Sequence, residues 1–324
     1  MKPVVNALVL VTASCTPLTA LAQSASYPTK PIRFIVANAA GGGEDSTARA
    51  LVTRLTQSLA QPIIIDNRAG AAGSVAAELT AKSPPDGYTM MLGSVGSLAV
   101  NPSLYKSLGY NPQRDLAPVS QVVSQSNILV AHPSVAARNV RELVALAASN
   151  PGKLTFGSSG SGNAGHLAGE MFKNMAKVDM VHVPYKGGAA VMNDLLGGRI
   201  DLVFSSASTA LPQIKAERVR AIAVTTLKRS PQLPNVPTIA ESGLPGYEAA
   251  NWYGIVVPMK TPQPIVERLN SDIVQALNSA DTRTVLLKHG LEAAPSTSKE
   301  LGAQMRSEAA KWAKVIRDAG ITAD

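Results

Sequence analysis

The stretch IRFIVANAAGGGEDSTARALVTRL, residues 32–55, decides the fold class of this chain of 324 residues. Four of its first five residues are apolar, and this short run predicts a buried strand. Residues 41–46 (GGGEDS) then form a glycine-rich loop, and from residue 48 apolar side chains recur at helical spacing. A second loop, residues 157–163 (GSSGSGN), stands between the short strand-like run LTF at 154–156 and another helical pattern. Two such units in one chain predict two lobes built on one plan.

Glycine-rich loops in front of helices indicate anion binding. The first N–H groups of a helix have no partner inside the helix and carry roughly half a positive charge, so anions bind there. Strand and helix patterns alternate along the chain, which indicates an α/β fold. We expect two doubly wound lobes with parallel sheets, and a ligand cleft between the lobes at the carboxyl edges. The expected limits are 23–122 with 251–324 for lobe one, and 123–250 for lobe two.

Residues 1–22 have the features of a secretory signal peptide. Lys2 supplies the positive charge, residues 4–13 are a short apolar run, and the tripeptide ALA at 20–22 fits the small-residue cleavage rule. We expect cleavage after Ala22, which would remove Cys15, the single cysteine of the sequence. The alternative is a lipid anchor on Cys15. The apolar run is too short to span a membrane, and an exported protein is expected.

The charge and histidine patterns disfavour two classes of protein. The formal net charge is +8, but the basic residues are scattered and aromatic residues make up 4% of the chain. Nucleic-acid binding needs basic patches, often interleaved with aromatic side chains, so we expect no nucleic-acid partner. The four histidines lack metal-ligand spacing, and neither glycine-rich loop has a nucleotide-binding pattern. We expect no metal and no cofactor.

The second loop also allows a hydrolase, with Ser159 or Ser161 as the nucleophile and His166 as the base. The loop lacks the G-x-S-x-G pattern of a nucleophile elbow, and no acid that would orient His166 is evident. Anion binding by the hydroxyl and N–H groups of the loop is favoured. We therefore expect a binding protein rather than an enzyme, with the hydrolase as the main alternative.

Several other positions have two open interpretations. Asp45 either contacts an amino or hydroxyl group of a ligand or caps the following helix. Glu44 would repel a second carboxylate of a ligand unless it points outward or pairs with Arg49. Tyr185 and Lys186 follow a predicted strand, where they either cover and attract a ligand or form a tight turn.

Eight short motifs, taken together, identify a family. In this order they resemble the substrate-binding receptors of tripartite tricarboxylate transporters, the Bug-type family. The resemblance covers nearly the whole chain after residue 27. The motifs are GGGxD at 41–45, NRxGAxG at 67–73, PDGYT at 85–89, HLxxE at 166–170, HVPYKG at 182–187, DLLGGxxD at 194–201, VPTxxExG at 236–243 and WYG at 252–254.

This resemblance implies a type II-like periplasmic binding protein, whose two lobes close over a small organic carboxylate. It implies a periplasmic location and membrane permease subunits as partners, and we expect a monomer. A receptor that signals to a membrane partner is a further alternative. In the family, both glycine-rich loops hold one carboxylate, partly through waters. The residues that match these loops are Gly42, Gly43, Asp45, Ser159, Ser161, Gly162 and His166.

The expected site also includes residues near the ends of other predicted strands, namely Ser94, Tyr185, Lys186, Gly187 and Ser206. The family usually has an aromatic-x-Pro sequence before the glycine run, whereas residues 38–40 are Asn-Ala-Ala in this chain. The wall of the pocket is therefore expected to be smaller and more polar than usual, and Glu44 adds an acid. An ordinary dicarboxylate ligand does not follow from the resemblance alone.

Overall fold

The computed structural model describes residues 27–185 and 187–322, which form two mixed sheets covered by helices. In chain order the strands are β1 (Ile32–Val36), β2 (Ile63–Asn67), β3 (Thr89–Ser94), β4 (Leu116–Gln125), β5 (Asn127–Ala131), β6 (Thr155–Ser158), β7 (Val181–Pro184), β8 (Leu202–Ser206), β9 (Arg220–Val224), β10 (Asn251–Pro258) and β11 (Glu292–Ala293). The helices are α1 (Gly43–Leu59), α2 (Ser74–Ala81), α3 (Asn101–Leu104), α4 (Pro112–Asp115), α5 (Val140–Ser149), α6 (Ala164–Ala176), α7 (Gly188–Leu196), α8 (Ala207–Lys215), α9 (Gln263–Asn278), α10 (Ala280–Lys288) and α11 (Ser298–Ala319). A 3-10 turn (Ala71–Gly73) precedes α2, and a π-helical turn (Gly96–Val100) precedes α3.

The two sheets have the same strand order. Within the described residues, the first sheet contains six strands in the order β11-β4-β10-β3-β1-β2, and the second contains five in the order β7-β6-β8-β5-β9. Apart from the short edge strand β11, each strand of the first sheet has a counterpart in the second. We call the first sheet with its helices the first lobe, and the second sheet with its helices the second lobe. The predicted two-lobed α/β fold is confirmed.

Each sheet is mixed rather than wholly parallel, which corrects one expectation. β10 runs antiparallel to β3 and β4, and β5 runs antiparallel to β8 and β9. These two strands are the ones through which the chain enters a sheet from the other lobe. The chain leaves the carboxyl end of β4 and begins β5 at Asn127, opposite Ser206 at the carboxyl end of β8. A strand that enters a sheet at the carboxyl edge must run against its neighbours.

The predicted lobe limits, after residue 122 and before residue 251, stay predictions. The extended segment predicted over residues 119–131 is divided between β4 and β5, one in each sheet. The predicted signal peptide, with Cys15, lies outside the described residues. Among the helices that the structure describes, none has the length and apolar character needed to cross a bilayer.

Apolar side chains cover both faces of the first sheet and continue into the second lobe. On one face, α1 and α9 bury Leu51 and Leu269 against Phe34. On the other face, α11 packs against β4 and also contacts α6 of the second lobe. One continuous apolar cluster therefore joins Trp312 of α11 with Phe172 of α6. The two lobes share this part of the core.

Helix α6 lies close against β6 because residue 169 is a glycine. A Cβ atom at Gly169 would lie 2.2 Å from Cε2 of Phe156, whose side chain is fully buried. The ring of Phe156 therefore occupies the place where a larger residue on α6 would project. This contact sets the distance of α6 from the sheet.

We predict that Gly169→Leu lowers the free energy of unfolding by about 2–3 kcal/mol, because extra atoms in a filled core displace side chains or backbone. The matched control is Gly197→Leu, since Gly197 is exposed and the nearest atom to an added Cβ would be 3.4 Å away. The control should change the stability by less than about 0.5 kcal/mol. Urea unfolding of both variants measures the difference, and equal stabilities would contradict this packing.

Candidate functional site

A cavity of about 330 Å³ lies between the carboxyl edges of the two sheets. Residues of both lobes line it, at the starts of α1, α6, α7 and α8 and in the loop after β3. This cavity is the predicted cleft between the lobes. Its two sides differ in the chemical groups that they present.

The second-lobe side of the cavity is formed by three helix starts. Residues 162–165 surround the first turn of α6, whose N-cap is Asn163. Gly188 is the first residue of α7, and Ser206 immediately precedes α8. The N–H groups in the first turn of a helix have no partner inside the helix and carry partial positive charge. This side can therefore bind an anion through uncharged donors.

Hydroxyl and amide groups complete the second-lobe side. The Ser159 hydroxyl accepts a hydrogen bond from Asn163 Nδ2 at 2.7 Å. The Ser206 and Thr209 hydroxyl oxygens lie 3.0 Å apart. The amide of Asn127, which is 3% exposed, lines the same cavity, and its Nδ2 has no hydrogen-bond partner among the described residues. All these groups can donate to an anionic ligand.

The first-lobe side of the cavity carries an acid. Glu44 is the second residue of α1, its side chain lines the cavity, and the residue is 4% exposed. Ser94 at the end of β3 and Tyr253 in β10 line the cavity beside it. Gly43 allows this arrangement, because a Cβ at Gly43 would lie 2.7 Å from the Tyr253 hydroxyl oxygen.

Glu44 is the one charged side chain among the described residues that line the cavity. Burial raises the pKa of Glu44 to about 7, although a hydrogen bond with Ser94 acts in the opposite direction. Burial also raises the pKa of Tyr253, and the nearby Glu44 raises it further. In the described part of the chain, no group of three or more His, Cys, Asp or Glu side chains is arranged to hold a metal ion.

Asp45 does not line this cavity, although it adjoins Glu44 in sequence. Its carboxylate accepts hydrogen bonds from the Gly41 N–H at 2.9 Å, from Arg49 Nε at 2.8 Å and from Asn67 Nδ2 at 3.1 Å. Burial opposes ionisation, but these bonds hold the pKa of Asp45 below its usual value. The helix-cap interpretation of Asp45 is wrong, because α1 begins at Gly43 and Gly42 is the N-cap. Asp45 instead fastens the glycine-rich loop to β2.

Four of the residues predicted for the site line the cavity: Ser94, Ser159, Gly162 and Ser206. Seven others do not: Gly42, Gly43, Asp45, Ser161, His166, Tyr185 and Gly187. Lys186 lies outside the described residues. Ligand contact by any of these residues stays a prediction.

The residues that do not line the cavity have other positions in its loops. Gly42 is the N-cap of α1, and Gly187, with φ +109°, is the N-cap of α7. Ser161 is exposed at the tip of the second glycine-rich loop. The Tyr185 hydroxyl donates to the Asp194 carboxylate at 2.8 Å, which ties the loop to α7.

His166 lies behind the second loop and supports it. Its Nδ1 accepts a hydrogen bond from the Gly162 N–H at 2.9 Å, so the ring holds the loop at the start of α6. The ring stacks on His182 with centroids 3.7 Å apart, and His182 Nε2 lies 2.7 Å from the Ser158 hydroxyl oxygen. Burial lowers the pKa of His166 to about 3 and the pKa of His182 to about 4, and their charged neighbour Lys173 adds to both shifts. Both rings are neutral at pH 7.

The hydrolase alternative has no support in this geometry. The Ser159 hydroxyl is bonded to Asn163, and His166 Nδ1 is bonded to Gly162. Among the hydrogen bonds of the described residues, none joins His166 to Ser159 or Ser161. A nucleophile–base pair requires the serine hydroxyl to lie within or near hydrogen-bond distance of the histidine ring.

Sequence reasoning missed three asparagines that line the cavity: Asn101, Asn127 and Asn251. Asn127 and Asn251 are the first residues of β5 and β10, the strands that enter a sheet from the other lobe. Asn101 follows the π-helical turn after β3. No local motif marks these residues. The one sequence signal for Asn127 and Asn251 is a polar residue at the point where the chain passes from one sheet to the other.

The match to a family model agrees with this architecture. The model described as tripartite tricarboxylate transporter family receptor matches residues 47–321. The chain belongs to this receptor family. The resemblance drawn from the eight motifs is thereby confirmed.

Solved structures of receptors similar to this family member cover nearly the whole chain. R. palustris Rpa4515 with adipate is 37% identical, with a TM-score of 0.78 over 91% of this chain and 99% of that chain. The periplasmic binding protein BugD is 33% identical, with a TM-score of 0.75 over 91% and 99%. MatC from Rhodopseudomonas palustris with bound malate is 29% identical, with a TM-score of 0.73 over 90% and 100%.

We predict that the stacked histidines make the receptor less stable as the pH falls from about 6.5 to about 4. Their pKa values are lower in the folded protein than in the unfolded chain, so the unfolded chain binds more protons in this window. Falling pH therefore stabilises the unfolded chain relative to the folded protein. Each ring contributes at most about 1.4 kcal/mol per pH unit to the slope. His182→Gln removes one contribution and should make the slope of unfolding free energy against pH shallower.

Urea unfolding at several pH values measures this slope for both proteins. The raised pKa of buried Glu44 has the opposite effect on stability, but it is present in both proteins and cancels in the comparison. Equal slopes for the wild type and His182→Gln would contradict the neutral, buried pair.

Proposed function

We propose that this protein captures a small organic carboxylate in the periplasm and delivers it to the membrane permease subunits of a tripartite transporter. The observation that carries the proposal is the convergence of three second-lobe helix starts on one side of the cavity. A carboxylate accepts several hydrogen bonds at once, and N–H groups at helix starts supply them together with a favourable dipole.

Two relatives support a carboxylate ligand. Rpa4515 is described with adipate and MatC with malate, and both are carboxylates. This chain is similar in fold to both proteins, with TM-scores of 0.78 and 0.73. Its own cavity presents hydroxyl groups at Ser159, Ser206 and Thr209 in addition to the helix starts. These groups are placed on the second lobe, so we assign carboxylate binding to that side.

The sequence features of residues 1–22 and the family membership support export to the periplasm. BugD, a similar protein, is described as a periplasmic binding protein. Closure of the two lobes over the ligand would make the ligand-bound receptor different in shape from the empty receptor. The permease subunits could then distinguish the two forms.

We predict that Gly96→Leu abolishes carboxylate binding without unfolding the protein. Gly96 lines the cavity, and the nearest atom to an added Cβ would be 3.6 Å away, so the larger side chain enters the cavity rather than the core. Thermal unfolding with a panel of mono- and dicarboxylates, including adipate and malate, measures binding as a rise in Tm.

The exposed Gly197→Leu variant is the control for this experiment and should bind as the wild type does. Native mass spectrometry of the purified protein identifies any ligand that is retained from the cell. The proposal fails if no carboxylate raises the Tm of the wild type and no retained carboxylate is found. The assignment of the ligand to this cavity is wrong if Gly96→Leu binds the carboxylate as tightly as the wild type does.

We predict that the mature protein begins at Gln23, because the tripeptide at 20–22 fits the cleavage rule. The intact mass of protein purified from the periplasmic fraction then corresponds to residues 23–324. A mass that includes Cys15 with a lipid would establish the anchored alternative. A mass of the full chain would contradict cleavage.

A further inference from the structure

In the part of the chain that the structure describes, most of the buried side-chain atoms without a hydrogen-bond partner belong to residues that line the cavity. In the described residues, five buried side-chain nitrogen or oxygen atoms have no hydrogen-bond partner, and four of them belong to residues that line the cavity. The four atoms are Glu44 Oε2, Asn101 Oδ1, Asn127 Nδ2 and Asn251 Oδ1. A buried polar atom without a partner is costly, so this concentration marks the place where a ligand completes the hydrogen bonding.

Two of these atoms are fixed as acceptors, and both belong to the first lobe: Glu44 Oε2 and Asn101 Oδ1. No other hydrogen bond of the described residues orients the amides of Asn251 and Asn127, so each can present either its oxygen or its NH₂ group to a ligand. The orientation of Asn101 follows from its other bonds. Its Nδ2 donates to the Ala72 carbonyl at 3.1 Å and to the Ser74 hydroxyl at 2.9 Å, which leaves Oδ1 as its free group.

Nothing in the described lining neutralises the Glu44 carboxylate. The neighbouring acid, Asp45, is paired with Arg49 at 2.8 Å on the outer side of α1. The other titratable group that lines the cavity is Tyr253, and burial raises its pKa. Tyr253 is therefore neutral at physiological pH and supplies no counter-charge. An unpaired buried carboxylate is strongly disfavoured, and a cation from a ligand would remove that penalty.

We infer that the ligand carries an ammonium group in addition to its carboxylate, and that Glu44, Asn101 and Asn251 bind this ammonium on the first-lobe side. An ammonium has three N–H donors and no acceptor, which matches the free oxygens of Glu44 and Asn101 and the oxygen that the Asn251 amide can present. A hydroxyl supplies one donor, and a second carboxylate brings only acceptors and a charge that Glu44 repels. The inference rests on the proposed function, because it names the ligand class of the same cavity.

The ligand therefore lies across the cavity with its two charges apart. Its carboxylate is directed to the helix starts and to Asn127 Nδ2 on the second lobe, and its ammonium is directed to Glu44 on the first. Such an aminocarboxylate bridges the lobes with complementary groups at both ends. Each lobe alone offers only half of the recognition, which favours the closed form when the ligand is bound.

Calorimetric titration with matched ligands tests this inference. The panel contains α- and ω-amino acids of two to six carbons, with the hydroxy acids and the dicarboxylic acids of the same chain lengths. We expect the tightest binder at pH 7 to be an aminocarboxylate, at least tenfold tighter than its hydroxy and dicarboxylate counterparts. Glu44→Gln should weaken this binding by at least roughly 30-fold, while the exposed Glu267→Gln control leaves it unchanged.

The pH dependence of binding gives a second readout. Pairing with an ammonium needs ionised Glu44, whose pKa is about 7 in the unliganded protein, so the affinity should rise about tenfold from pH 6 to pH 8 with release of a proton. His166 and His182 titrate well below this range, because burial lowers the pKa of each. The rise should be absent in Glu44→Gln.

The possible outcomes separate the inference from the proposed function. Preference for a dicarboxylate with proton uptake, or for a hydroxy acid or an unsubstituted carboxylate, overturns the ammonium assignment and leaves the carboxylate receptor intact. Normal aminocarboxylate binding by Glu44→Gln overturns it as well. Failure of every carboxylate to bind the wild type overturns both.

Discussion

The two crossings of the chain between the sheets determine where this molecule can bind a ligand. The chain leaves β4 and β9 at their carboxyl ends and enters β5 and β10 at the carboxyl edge of the opposite sheet. Both sheets therefore turn the same edge toward each other. Loops and helix starts that follow parallel strands collect at that edge. A cavity lined by helix starts from both lobes is thus a consequence of the topology, and only its chemistry is left to the side chains.

The elements that follow local rules could be predicted from the sequence. The glycine-rich loops, the strands before them and the helices after them depend on periodicity within a few residues. The second glycine-rich loop was expected at the cleft for that reason, and its residues Ser159 and Gly162 line the cavity. The reversed strands could not be predicted, because a short apolar run has the same pattern in either direction. Asn127 and Asn251 were missed with them, since their position at the cavity depends entirely on where the reversed strands begin.

The neighbouring acids of α1 illustrate the same limit at the scale of one helical turn. Successive residues on a helix project about 100° apart, so Glu44 and Asp45 point in different directions from α1. Their sequence does not decide which of them does. In the structure Asp45 is bonded to Arg49, Asn67 and the Gly41 N–H, while Glu44 is left without a counter-charge. The acid that belongs to the family motif, Asp45, is hydrogen-bonded within the first lobe, and the acid that departs from the family, Glu44, lines the cavity.

The contrast between the two sides of the cavity has a physical reason. Among the described lining residues, the second lobe presents helix dipoles and hydroxyl groups rather than cationic side chains. Helix N–H groups are fixed by the backbone, so they bind a carboxylate without ordering a long Lys or Arg side chain, which would cost about 2 kcal/mol of rotamer entropy. His166 supports this side through the Gly162 N–H and remains uncharged at neutral pH. Under the proposed function, the second lobe offers a preorganised anion site, and the buried acid on the opposite side selects for the charge on the rest of the ligand.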